Sequence, residues 1–236
     1  MKTNGLFVTG TDTDVGKTWA TIALMRRLQN QGLLVNALKP VAAGCVEQAG
    51  QLGNPDAWLL QKFSSKSFEY YEINPYAFAK AASPHYACEG VSVDPEVIIK
   101  SYKKLDSQSE FVVVEGAGGW FSPVDQRWLN ADLAKCLGLP VLLVVGLRLG
   151  CINHALLTAQ AIKESGLGCL AWLAVVLDPD MEAIQSNLEY LSDRLDIPCL
   201  GVLPNLKQAD FDFLAETISL DRLKIDLDQK KHRLSV

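Results

Sequence analysis

The residues best suited to chemistry lie close together at positions 10–18, GTDTDVGKT, where a polar loop closes on glycine, lysine and threonine. A triphosphate needs what such a run offers: free backbone N–H groups around its oxygens, a cation on a flexible stem and a hydroxyl for Mg2+. Lys17 would reach the β- and γ-phosphates, and Thr18 the metal. The run departs from G-x-x-x-x-G-K-[ST] once: Thr11 stands where the pattern has glycine, and Gly10 lies one residue further back. The plain alternative is a strand-to-helix turn with a chance G-K-T. The context opposes it, because apolar residues 6–8 precede the loop and Ala20, Ala23, Leu24 and Leu28 follow at helical spacing.

Other charged residues end apolar runs. Glu115 closes the run 111–115, where an unpaired carboxylate is costly and where nucleotide hydrolases place a metal carboxylate. A capped strand end before a glycine turn at 116–119 is its alternative. Lys39 follows the run 33–38 and precedes Pro40. It is either a surface lysine or a cation that neutralises a transferring phosphoryl group. Asp56 near a helix start could serve only the helix dipole, and Asp14 within the loop is equally open. Gly150-Cys151-Ile152-Asn153 begins a helix after a strand, so its N–H groups suit a carboxylate, although an ordinary N-terminus is commoner. His85 and His154 have no metal-type partners and read as structural.

These residues need a scaffold that gathers strand ends. Apolar runs at 6–8, 33–38, 111–115, 141–145, 168–177 and 199–203 alternate with helical patterns. The helices are expected from 18 to about 32 and over 56–62, 96–105, 130–137, 152–163, 181–195 and 211–218. Strands that are apolar throughout, separated by helices, predict an α/β fold: a mostly parallel sheet of about seven strands, covered on both faces. Ligands in such sheets bind at the carboxyl ends of the strands. That rule collects Lys39, Glu115, Gly150 and Pro204 on one edge. Residues 41–54 read as an aperiodic loop and 64–93 as an irregular excursion with one short helix. Asp94 reads as the cap of the helix after it. A single domain spanning 1–236 is expected, with the charged stretch 221–236 unassigned.

The chain has 236 residues, a net charge of −5 and six cysteines without C-x-x-C or metal-type spacing. An acidic balance argues against a nucleic-acid partner, which clustered Lys and Arg would serve. Reduced thiols in a cytoplasmic protein are expected. The apolar stretches 140–147 and 167–177 fall short of a bilayer span, so no membrane role is expected.

Four longer stretches carry a family resemblance. GTDTDVGKT (10–18), KPVAAG (39–44), VEGAGGWFSP (114–123) and VVGLRLGCINHALLTAQ (144–160) together resemble dethiobiotin synthetase, a member of the P-loop NTPase superfamily, and NPY (74–76) and SPH (83–85) fit as well. The resemblance runs from about residue 5 to 204. It implies an ATP-dependent ligase that carboxylates 7,8-diaminopelargonic acid with CO2 and closes the cyclic urea, the penultimate step of biotin synthesis. It implies Mg2+ on Thr18, Asp56 and Glu115, and a nucleotide held by Asp14, Val15, Gly16, Lys17, Thr18, Glu115, Gly118 and Pro204. Lys39, Lys17 and Thr13 would act around the γ-phosphate and the carbamate. The diamine would meet Lys39, Ala43, Gly118 and Gly119. From the other subunit of a homodimer it would meet Gly150, Cys151, Ile152, Asn153 and Tyr190.

Two departures stand out. The family's serine in K-P-V-x-S-G is Ala43 here, and Val175-Val176 occupy the place of an asparagine that reads adenine. Neither valine side chain can hydrogen-bond a base, so weak discrimination among nucleoside triphosphates is expected. Two other classes remain open. A dimerising partition-type ATPase would carry a second lysine where Thr11-Asp12 stand, and a corrin-acid amidotransferase would need an appended glutaminase domain.

Overall fold

The structure, a computed structural model, describes residues 5–223. Of the unassigned tail, 221–223 form a turn that ends on buried Leu223, and the rest lies outside the described residues. β1 (Gly5–Gly10) is buried along its whole length and feeds the loop before α1 (Lys17–Gln29), after which comes β2 (Val35–Leu38). A less regular stretch holds β3 (Val41–Ala42), β4 (Val46–Gln48), β5 (Gln51–Gly53), α2 (Pro55–Phe63), α3 (Tyr70–Ile73), β6 (Tyr76–Ala77) and α4 (Pro84–Ala87). Regular alternation then runs through α5 (Pro95–Asp106), β7 (Phe111–Gly119), α6 (Asn130–Leu137), β8 (Val141–Leu147), α7 (Cys151–Glu164), β9 (Cys169–Val176), α8 (Ile184–Arg194), β10 (Cys199–Leu203) and α9 (Phe211–Glu216).

The central sheet is parallel, in the order β10-β9-β8-β1-β7-β2. It has six strands rather than about seven. A further edge element exists only as a single antiparallel bridge between Gly201 and Ile218, which is too short to extend the sheet. Central strands are buried on both faces, with Phe7, Phe111 and Trp172 among the largest fully buried side chains, as a doubly covered parallel sheet requires. Each such side chain contributes roughly 1.5–3 kcal/mol relative to exposure.

β1 lies between β7 and β8, so its carboxyl end opens into the crevice where ligands of such sheets bind. The loop after β1 and the last residues of β7 meet there, with Gly10 in register with Gly119. That pairing extends β7 through the glycines expected to form a turn. Residues 46–53 form a hairpin instead of a loop, because Ala49 and Gly50 both take positive φ, at 50° and 77°, and reverse the chain in two residues. The stretch 64–93 contains two short helices, α3 and α4, instead of one. α8 begins three residues later than the sequence pattern places it.

Candidate active site

Local chemistry fixes each wall of the site. The loop after β1 reaches α1 through Gly16, whose φ of 84° is open to glycine, and Asp14 takes φ 55°, a conformation aspartate tolerates better than most residues. Gly16 also approaches β9 closely: a Cβ there would lie 2.8 Å from Val175 Cγ1. Val15 is buried beneath the loop, against Gly146 of β8. α2 starts at Pro55, and the Asn54 side chain caps it by accepting from Asp56 N at 3.0 Å. This places Asp56 at the mouth of the loop.

A cavity of about 870 Å3 opens over these elements. Thr13, Asp14, Gly16, Lys17 and Thr18 line it on one side, with Lys39, Asp56, Ala43 and Gly118. Val175, Val176 and Pro204 line it where β9 meets the loop. Lys39, Thr18 and Asp56 belong to a charged cluster whose fourth member, Glu115, lies behind the cavity lining. Lys39 Nζ donates to Glu115 Oε1 at 2.6 Å and to Asp56 Oδ2 at 3.0 Å, and Thr18 Oγ1 donates to the same Glu115 oxygen at 2.9 Å. Glu115 is fully buried and Lys39 is 5% exposed. Glu115 Oε2 is buried without a hydrogen-bond partner among the described residues. An unpaired carboxylate oxygen in that position is expensive unless a ligand meets it.

The two lysines differ electrostatically. Burial depresses the Lys17 ammonium, with Lys39 adding repulsion and Glu115 opposing both, and its pKa falls to about 8. Its Nζ donates to the backbone carbonyl of Asp12 at 2.9 Å. Burial also works against charge on Lys39, but Glu115 and Asp56 outweigh it and hold that ammonium above the ordinary lysine range. Burial likewise opposes the Asp56 carboxylate, and the charge and hydrogen bond of Lys39 keep it below its usual range. The arrangement offers a fixed cation, a second cation whose charge depends on what enters, and a carboxylate pair able to share a divalent ion with Thr18.

Residues to which the sequence analysis gave no role hold this cluster. Asn74 Nδ2 donates to Lys39 O at 2.7 Å, and Tyr70 Oη donates to Asn74 Oδ1 at 2.7 Å. Tyr70 Oη also accepts from Asn54 N at 2.7 Å, while Asn54 Nδ2 donates to Ala43 O at 3.1 Å. Tyr70, Asn74 and Asn54 therefore tie Lys39, Ala43 and the start of α2 into one frame. The NPY motif was the only sequence signal for it. On the opposite wall, Asn130 Nδ2 donates to Gly119 O at 2.9 Å, and Gly119 N donates to Ser122 Oγ at 2.7 Å. Asp12 is a second unforeseen hub, since its carboxylate pairs with Arg148 and accepts from Thr13 N.

The remaining expected residues lie elsewhere in the chain. Gly119 stands behind Gly118, outside the cavity lining. Gly150, Cys151, Ile152 and Asn153 begin α7, and Tyr190 sits on α8; none of them lines the cavity of its own chain. Cys151 is buried there, with Asn187 Nδ2 3.7 Å from its sulfur, while Tyr190 is 42% exposed under the Arg194 guanidinium.

Comparison with known proteins decides the family. The ATP-dependent dethiobiotin synthetase BioD of Xanthomonas campestris pv. campestris is 44% identical over 222 residues, covering 93% of this chain and 99% of the relative. The chain belongs to the dethiobiotin synthetase family. The synthetases named BioD from Pseudomonas aeruginosa LESB58 (44% identical, 94% of this chain and 98% of the relative) and Cellvibrio japonicus (43%, 94% and 99%) agree. A family profile described as an AAA domain matches residues 4–211. Among solved structures, the MinD cell division protein of Aquifex aeolicus superposes with a TM-score of 0.56 at 15% identity, covering 92% of this chain and 89% of that one. A ParA family ATPase of Chlorobium tepidum TLS superposes at 0.54 and 12%, covering 92% and 91%. At such identity these two support the fold of this chain and nothing further.

Proposed function

We propose that this chain carboxylates 7,8-diaminopelargonic acid with CO2 at the expense of ATP and closes the product to dethiobiotin, releasing ADP and phosphate. One amine adds to CO2 and loses a proton, giving a carbamate. A carbamate oxygen displaces ADP from the γ-phosphorus. The second amine then attacks the carbonyl carbon, and phosphate leaves as the ring closes. The observation that carries this reading is the Lys39–Glu115–Asp56–Thr18 cluster beside Lys17, in which Lys39, Thr18 and half-buried Asp56 line the cavity and fully buried Glu115 lies behind them.

Carbamate and γ-phosphate are both anions, so joining them requires positive charge already in place. Lys17 grips the β- and γ-phosphates, Lys39 faces the forming O–P bond, and Thr13 supplies a hydroxyl beside it. Gly118 lets the diamine approach the backbone, as does Ala43 with no hydroxyl to offer. The orphaned Glu115 oxygen and the Thr18 hydroxyl fit Mg2+, which takes one or two carboxylates and completes its shell with phosphates and water. Held by Thr18, Asp56 and Glu115, it would neutralise charge on the β- and γ-phosphates.

The amides of α7 at Gly150, Cys151, Ile152 and Asn153 suit the carboxylate of the diamine, yet they lie apart from their own chain's cavity. A homodimer that presents them, with Tyr190, to the neighbouring cavity completes the site. Exposed Leu149 and Leu157 beside them support such a contact. No helix among the described residues is long and apolar enough to cross a membrane, and a cytoplasmic enzyme with reduced cysteines fits.

The test is phosphate release from ATP with and without diaminopelargonate and bicarbonate, together with mass-spectrometric detection of dethiobiotin. Release that requires both co-substrates is expected. Release indifferent to the diamine would overturn the reading.

A further inference from the structure

The end of the cavity beside β9 is lined by Val175, Val176, Leu177, Pro204, Asn205 and Leu206. Five of these side chains are hydrocarbon, so they offer a base a flat apolar slot and no hydrogen bond. Asn205 is the exception. Its Nδ2 lies 3.3 Å from Val176 O and 3.1 Å from Leu177 O, at the carboxyl end of β9. The orientation of this carboxamide follows from chemistry: turned over, its oxygen would face two carbonyl oxygens with no proton between them. The amide nitrogen is therefore held against the two carbonyls at the carboxyl end of β9. The Asn205 side chain has only Oδ1 left to give a ligand, and Oδ1 can only accept.

We propose that Asn205 sets the base preference of this enzyme, favouring nucleotides with an exocyclic amino group over those with a carbonyl at the same position. With Nδ2 tied to β9, Oδ1 of exposed Asn205 at the rim of the slot is left to pair with the 6-amino group of adenine or the 4-amino group of cytosine. It opposes the 6-oxo group of hypoxanthine or guanine and the 4-oxo group of uracil. The slot thus distinguishes amino from oxo bases and separates purines from pyrimidines poorly, because apolar walls respond to area rather than pattern. The two valines account for the breadth of acceptance, and the tethered asparagine for the bias that remains. This inference rests on the cavity being a nucleoside-triphosphate site.

The experiment uses nucleotide pairs that differ in one substituent. ADP and IDP differ at position 6 alone, apart from the tautomeric hydrogen on N1, and CDP and UDP differ correspondingly at position 4. Their dissociation constants are measured by displacement of a fluorescent ADP analogue from the full-length protein with Mg2+ and without the diamine, so the result does not depend on turnover. ADP over IDP and CDP over UDP are both expected to bind about 5–10-fold more tightly, the range of one net hydrogen bond. In Asn205→Leu, which keeps the bulk and removes the acceptor, both ratios should fall towards one. Equal binding within each wild-type pair overturns the proposal, as does a Leu variant that keeps the wild-type ratios. Should that variant fail to fold, the two wild-type pairs still decide. Loss of dethiobiotin formation with the ratios intact would overturn the proposed reaction and leave Asn205's role standing.

Discussion

Lys17 should take up a proton when the nucleotide binds, and the size of that uptake follows from its surroundings. In the ligand-free chain burial, helped by Lys39, brings its pKa from 10.5 to about 8. Triphosphate oxygens around the ammonium favour its charged form and return the pKa to the ordinary range or above. At pH 8 about half of the free molecules then hold a neutral amine, so binding takes up about half a proton. At pH 7 the uptake falls to about a tenth, and at pH 9 it rises to about nine-tenths. Affinity should weaken accordingly as the pH climbs past 8, approaching tenfold per unit.

Titration calorimetry with MgATP and no diamine, in two buffers of very different ionisation enthalpy, measures the uptake directly. Lys17→Met should remove it. Folding gives the same group a second signature. The unfolded chain keeps this proton up to 10.5 and the folded one only to about 8, so ligand-free stability rises with pH across that window. Below it the buried charge costs on the order of 3 kcal/mol, so Lys17→Met should stabilise the ligand-free protein at pH 7 while abolishing turnover. An uptake that stays flat from pH 7 to 9, or that survives in Lys17→Met, would refute the reasoning.

Lys39→Ala should lower kcat at least about 100-fold and change the nucleotide dissociation constant far less, because the charge it faces is complete only in the transition state; equal losses in steady-state kinetics and binding would count against its role. Glu115→Gln should cost about 1.5–3 kcal/mol in denaturant unfolding of the ligand-free protein, because it takes the charge from one of the two carboxylates that pair the buried Lys39 ammonium and leaves Asp56. Tyr70→Phe strips a partner from both Asn54 N and Asn74 Oδ1, and a loss of about 1–3 kcal/mol is expected in the same assay. Asn153→Ala should raise the KM for the diamine and leave nucleotide binding unchanged, and an unaltered KM would remove α7 from the substrate site.

Much of this was legible in the sequence because local rules carry it. The loop at 10–18 needs only a strand, a helix start and G-K-T, and the structure supplies each. Asp94 and Pro95 announce α5, and Asp94 caps it at 2.9 Å. Lys39 and Glu115 are 76 residues apart, yet both end apolar runs, and the strand-end rule brings them together. The Tyr70–Asn74–Asn54 frame follows no such rule, because its geometry arises from an irregular stretch folding back on the end of β2. Arg148 and Asp12 pair across 136 positions, with no periodicity to indicate it. The hairpin at 46–53 hid behind Ala49, a residue seldom read as a turn former. The position of α7 away from its own cavity depends on tertiary packing that strand order alone does not reveal.

The contact between Gly16 and Val175 has a consequence for anyone redesigning this enzyme. A Cβ on the glycine from which α1 departs would lie 2.8 Å from Val175 Cγ1, so under the proposed function the wall beside the heterocycle would also back the amides around its phosphates. Retrofitting a longer polar residue at 175 to sharpen fidelity would push on that joint, and tighter reading of the base would come with a looser hold on pyrophosphate.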